Sequence, residues 1–73
     1  MMEVSWKKLG ENIRRERLTR GWTIGETALR MEKSRRKIRT AERGERCITL
    51  HELMEFCMAF GIEPDILTEN IQK

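Results

Sequence analysis

Only two cysteines occur in the chain, Cys47 and Cys57, too few for a disulfide framework and not spaced as a Cys-x-x-Cys pair. The single histidine, His51, completes no metal-ligand set with them. Reduced thiols are therefore expected, with no metal and no cofactor. No apolar run approaches the roughly 20 residues that a membrane-crossing helix needs, and the first residues lack the continuous apolar stretch of a secretory signal. No strand pattern is visible, and no repeat, linker or low-complexity stretch divides the chain. The parts of a catalytic site are missing too: there is no nucleophile–base pair, no glycine-rich phosphate loop, and no carboxylate pair with a cleft to house it. What remains is the expectation of one all-α, non-enzymatic, cytoplasmic domain over residues 1–73, with no membrane partner.

The chain has 73 residues, of which 38% are hydrophobic, enough for one core and not for two. A domain of this size buries only about 60% of the surface its unfolded chain exposes, so a partner subunit is a common source of further stability. Helix boundaries are marked by caps and glycines, and predict five helices at about 5–20, 24–31, 35–42, 50–60 and 64–71. Ser5 caps the first, which turns Leu9, Ile13 and Trp6 inward, and Gly21 ends it. Thr23 and Glu26 have the spacing of a capping box, as do Thr49 and Glu52. Ser34 caps the third helix and Gly44 stops it. The fourth carries Leu50, Leu53, Phe56, Cys57 and Phe60, a 3–4 spacing that marks one buried stripe. Pro64 suits the first turn of the fifth.

The net charge of +3 is unevenly placed. Residues 1–32 carry seven basic and five acidic side chains, residues 33–46 seven and two, and residues 47–73 one and five. A central segment at +5 beside a C-terminal third at −4 suggests one face for a polyanion and a different face opposite.

That basic segment coincides with the tightest helix junction. Two helices between Thr23 and Gly44 are joined by only two or three residues, a spacing that makes them cross steeply, as in a helix-turn-helix. With Ile38 and Ala41 turned inward, helical periodicity turns Arg35, Arg36, Arg39 and Thr40 outward and leaves Lys37 at the flank. A helix in the major groove reads bases with its early outward side chains. Arginine suits that role because its planar fork donates two bonds to guanine O6 and N7, worth about 1–3 kcal/mol of discrimination per pair. Ser34, Arg43 and Arg46 lie at helix ends, where phosphate contacts set register. With Thr23 they complete the expected DNA-binding set.

The residue order resembles the phage-repressor, or Xre-like (lambda-repressor-like), helix-turn-helix family. The likeness runs from Leu9-Gly10-Glu11-Asn12-Ile13-Arg14 through Arg17, Gly21-Trp22-Thr23, Glu26, Ala28, Ser34 and Ile38 to Glu42-Arg43-Gly44. It ends with Leu53, Phe56, Ala59-Phe60-Gly61-Ile62 and Leu67. The resemblance implies a five-helix domain whose third helix enters the major groove, usually as a homodimer on a palindromic operator, in a bacterial or phage-encoded, nucleoid-associated transcription regulator of repressor or controller type. By position, Arg35, Arg36, Arg39 and Thr40 match the base-facing set, and Ser34 and Arg43 match backbone contacts. Arg17 and Glu42 match an internal ion pair between the first and third helices. Several positions depart from the pattern, among them Lys33, which is more polar than usual at its place. Ile24 stands where the family usually has a phosphate-holding glutamine. Thr27 replaces a common leucine. Glu32 occupies a turn position where glycine is frequent, at a cost of about 1–2 kcal/mol if its backbone is left-handed.

Met54 and Met58 form a second stripe on the fourth helix and, with Ile66 and Ile71, are the expected dimer interface. Cys57 reads as a small buried hydrophobe, His51 as a surface residue, and Trp6 and Trp22 as anchors at the core edge. The alternative reading is a protein-interaction module, such as an antitoxin with weak or partner-dependent DNA binding. Its grounds are the missing anchor at Ile24 and the unusual turn at Glu32-Lys33.

Overall fold

A computed structural model describes residues 3–72, which form five helices. They are α1 (Trp6–Thr19), α2 (Ile24–Met31), α3 (Arg35–Arg43), α4 (Leu50–Phe60) and α5 (Pro64–Leu67). The caps expected from the sequence start the first four. The hydroxyls of Ser5, Thr23, Ser34 and Thr49 each accept the backbone N–H three residues on, at 3.0–3.2 Å. At Thr23 the box is reciprocal, because the Glu26 carboxylate accepts the Thr23 N–H. Gly44 and Gly61 end α3 and α4 in the left-handed conformation. None of the helices among the described residues is long and apolar enough to cross a membrane.

All five helices contribute to one core, in which Ile13, Ile38, Phe56 and Leu67 are fully buried. Each such side chain withdrawn from water contributes about 1.5–3 kcal/mol. Trp6 and Trp22 pack at its margin, as the sequence suggested, and Cys57 lies inside it. Burial pushes the Cys57 thiol above its ordinary pKa. Thr27, whose place a leucine would fill with more apolar volume, is fully buried and donates its hydroxyl to Thr23 O at 3.0 Å. Arg20 closes the far side by donating to Phe60 O at 2.6 Å, with its guanidinium 5.0 Å from the Phe60 ring.

Three expectations are corrected. The last helix stops at Leu67 and does not reach residue 71. The carbonyls of Leu67 and Glu69 accept from the buried Asn12 amide at 2.9 and 2.8 Å, so they no longer serve a continuing helix. Asn70 then turns left-handed, the Ser5 N–H donates to Ile71 O, and Val4 and Gln72 form an isolated antiparallel bridge. Second, Leu50 is not part of the buried stripe but 74% exposed at the first turn of α4. Third, Thr49 and Glu52 form only half a capping box, because the Glu52 carboxylate turns to Arg46 at 2.7 Å.

Candidate nucleic-acid interface

α3 has almost no apolar surface of its own, so its placement depends on a few contacts. Ile38 and Ala41 are its buried residues, and they pin its inner face against the core. Gly10 lets α1 approach the end of α3 directly: a Cβ there would lie 2.4 Å from Glu42 O and 2.5 Å from Ala41 O. Arg17 of α1 grips the same turn, with its Nε donating to Glu42 Oε2 at 2.6 Å and its Nη2 to Oε1 at 3.1 Å. The remaining Arg17 nitrogen donates to Trp22 O at 2.8 Å, which joins the α1–α2 turn to the pair. Both side chains are about nine-tenths buried. The expected ion pair is thus present and structural.

The turn between α2 and α3 is regular. Glu32 adopts the left-handed conformation that glycine favours, with φ 55°, and the Lys33 N–H donates to Ala28 O at 2.9 Å. Lys33 pairs with Glu55 of α4 at 2.9 Å, which ties the turn to the body of the protein.

On the outer side of α3, Arg35, Arg36, Lys37, Arg39 and Arg43 are exposed. Their spacing puts Arg35 and Arg39 one turn apart on one row, with Arg36, Thr40 and Arg43 on the next. Arg35 folds back over the start of α2, since a Cβ at Gly25 would meet its guanidinium at 3.0–3.2 Å. Thr23 and Ser34 are exposed at the starts of α2 and α3. Each uses one oxygen lone pair for its cap and keeps its O–H able to donate outward.

Arg46 and Thr40 differ from the sequence reading. Arg46 donates to both Glu52 oxygens at 2.7 Å, to Lys37 O at 2.8 Å and to Thr40 Oγ1 at 2.9 Å. Its guanidinium is committed within the fold, bracing α3 against α4. The hydrogen bond from Arg46 holds the Glu52 carboxyl below its ordinary pKa, and the same bond raises that of Arg46. Thr40 is half-buried, and its hydroxyl accepts from Arg46 while donating to the carbonyls of Arg36 and Lys37.

Sequence reasoning passed over Arg14. This exposed residue of α1 faces a cleft of about 340 Å³ that is also lined by Ile24 of α2 and by Arg39 and Arg43 of α3. It belongs to the family-like stretch Leu9–Arg14, but nothing in that stretch marks it as facing a cleft, because the cleft exists only once α1 packs on α3. The residues proposed for a dimer interface separate into two groups. Met54, Met58 and Ile66 are exposed, at 40%, 79% and 42%. Ile71 is half-buried against the protein's own core, beside Val4, Trp6 and Leu53.

Solved structures of regulators share this fold. The restriction-modification controller protein C.AhdI from Aeromonas hydrophila superposes with a TM-score of 0.80 at 27% identity, covering 85% of this chain and 94% of that one. The clp gene regulator ClgR from C. glutamicum gives 0.80 at 27% identity, over 89% and 86% of the two chains. The fold is shared as well with the hypothetical transcription factor NHTF from Neisseria, at a TM-score of 0.82 and 24% identity over 90% and 82%. No curated protein matches the sequence significantly. The HTH_3 helix-turn-helix family matches residues 13–67, three quarters of the chain, so the protein belongs to that family and is a DNA-binding transcriptional regulator.

Proposed function

We propose that this regulator binds a palindromic operator as a homodimer and reads each half-site by laying α3 in the major groove. The observation that carries the reading is the exposed basic row of α3, formed by Arg35, Arg36, Lys37, Arg39 and Arg43, on a helix braced at both ends. Arg36 and Arg39 are the base readers, since both are exposed within the first turn and a half and neither forms an ion pair among the described residues. Thr23, Ser34, Lys37 and Arg43 contact phosphates and set register. Arg46 and Thr40 hold the C-terminal half of α3 in place and leave the reading to their neighbours.

Met54, Met58 and Ile66 supply the apolar centre of the dimer contact, on the acidic C-terminal third of the chain. Keeping that acidic surface away from the DNA is electrostatically favourable. Occupying an operator that overlaps a promoter, the dimer controls transcription in the cytoplasm of a bacterium. The restriction-modification controller among the similar structures supports a controller-type role. The antitoxin-like reading loses one of its two grounds, because Glu32 and Lys33 form a regular, anchored turn.

Selection from a random duplex library at near-physiological salt tests the proposal. Enrichment of an inverted repeat is the expected result. An enriched motif without two-fold symmetry would contradict the dimer, and no enrichment from folded protein would contradict sequence reading altogether.

A further inference from the structure

We infer that Gly25 determines operator specificity from a distance, by holding the Arg35 guanidinium on α2 and clear of the bases that Arg36 and Arg39 read. The inference rests on the proposed DNA reading and adds to it a positioning residue on α2. Gly25 stands apart from the other four of the chain's five glycines. Gly21, Gly44 and Gly61 have positive φ, and Gly10 lies against the backbone of α3, where no Cβ fits. Gly25 has neither reason. Its backbone is ordinary helix in the first turn of α2, where glycine lowers helix stability relative to alanine. What the missing side chain leaves is space, and Arg35 occupies it.

The three atoms nearest to a Cβ at position 25 would be Nη2 of Arg35 at 3.0 Å, then its Cζ and Nε, both at 3.2 Å. Near-equal distances to three atoms of a planar group mean that its flat face, and not an edge, covers Gly25. Non-bonded carbon atoms pack best at about 3.5–4.0 Å, so a Cβ there crowds the guanidinium. The far end of a flexible side chain gives way before helical backbone does, and alanine at position 25 therefore displaces Arg35. Arg35 is exposed at the first position of α3 and forms no ion pair among the described residues, so no such partner detains it. Displaced from α2, it joins the outer row one turn before Arg39, where the early side chains of a recognition helix reach base edges. Its fork is then free to take a guanine. The native glycine keeps this third arginine off the bases, and two arginines read each half-site.

The test selects operators from a random duplex library with the wild type, Gly25→Ala, Arg35→Ala and the double variant. The wild type and Arg35→Ala should enrich the same motif, because Arg35 reads no base in the native protein. Gly25→Ala should enrich a motif with one further guanine in each half-site, preferred roughly tenfold or more over the other bases. The double variant should return to the wild-type motif, since the added Cβ acts only through Arg35. This cycle separates positioning from stability, because a change in the folded fraction alters affinity for every sequence alike. Gly25→Ala should also unfold no earlier than the wild type on heating, because alanine favours the helix. An unchanged Gly25→Ala motif would overturn the inference. A base preference lost in Arg35→Ala alone, or an added preference that survives in the double variant, would do the same. A markedly lower unfolding midpoint for Gly25→Ala would show that α2 had shifted in place of Arg35 and would overturn it too. A folded wild type that enriches no motif would refute the underlying DNA reading instead.

Discussion

Glu32 holds a left-handed backbone at the one turn on which the crossing of α2 and α3 depends. Its side chain forms no ion pair among the described residues. Glu32→Gly should stabilise the protein by up to about 1 kcal/mol, the relieved strain less the extra entropy that glycine loses on folding. A higher urea midpoint at unchanged slope is the expected readout, and a lower midpoint would show that Glu32 makes a stabilising contribution of its own. This position was legible from the sequence, because a non-glycine at a glycine-favoured turn has a definite backbone cost. Arg46 was not. Counted as one more cation near the end of α3, it suggested a phosphate contact, yet its side chain meets Glu52, Thr40 and Lys37 within the fold. Which partner a long cationic side chain finds is decided by tertiary packing, and neither local pattern nor charge counts carry that information.

At the scale of the element, α3 is presented by bracing, not by its own hydrophobicity. The Arg17–Glu42 pair holds its end to α1, Lys33–Glu55 anchors the turn before it, and Arg46–Glu52 ties it to α4. Rigid support of this kind keeps reading side chains in register with the groove. One brace is pH-sensitive. Because Arg46 lowers the pKa of Glu52 in the fold, the pair's contribution is present above the ordinary carboxylate value and is lost as pH falls through the folded one. The wild type should therefore lose more stability than Glu52→Gln between about pH 6 and pH 3. Parallel losses in the two proteins would show that the brace contributes nothing to folding. The first four helices were legible to within a residue or two because their caps and glycines are local signals. The fifth was overextended, since its end is set by Asn12, 55 residues away in sequence, whose amide occupies the Leu67 carbonyl. The same folding back of the C-terminal segment placed Ile71 against the core and removed it from the expected dimer face.

Across the whole molecule, charge and apolar exposure divide the surface. The exposed basic row lies on α3, whereas Met54, Met58 and Ile66 are exposed on α4 and α5, in the C-terminal third, where acidic side chains outnumber basic ones five to one. The first is the proposed DNA face and the second the proposed contact with a second copy of the chain. Replacing Met54 and Met58 together with glutamate should convert the dimer to monomer in sedimentation and weaken operator binding at least tenfold, since two half-sites then bind independently. A double variant that remains dimeric would move the interface elsewhere. The central claim, that exposed arginines of α3 read base edges, is tested most directly by the ratio of operator to scrambled-duplex affinity in the wild type, Arg36→Ala and Arg39→Ala. Loss of one bidentate contact per half-site, at about 1–3 kcal/mol each, predicts a fall in that ratio of at least tenfold with scrambled-duplex binding largely retained. Equal weakening on both duplexes, with the ratio unchanged, would mean that these arginines contact only the backbone and would contradict the account.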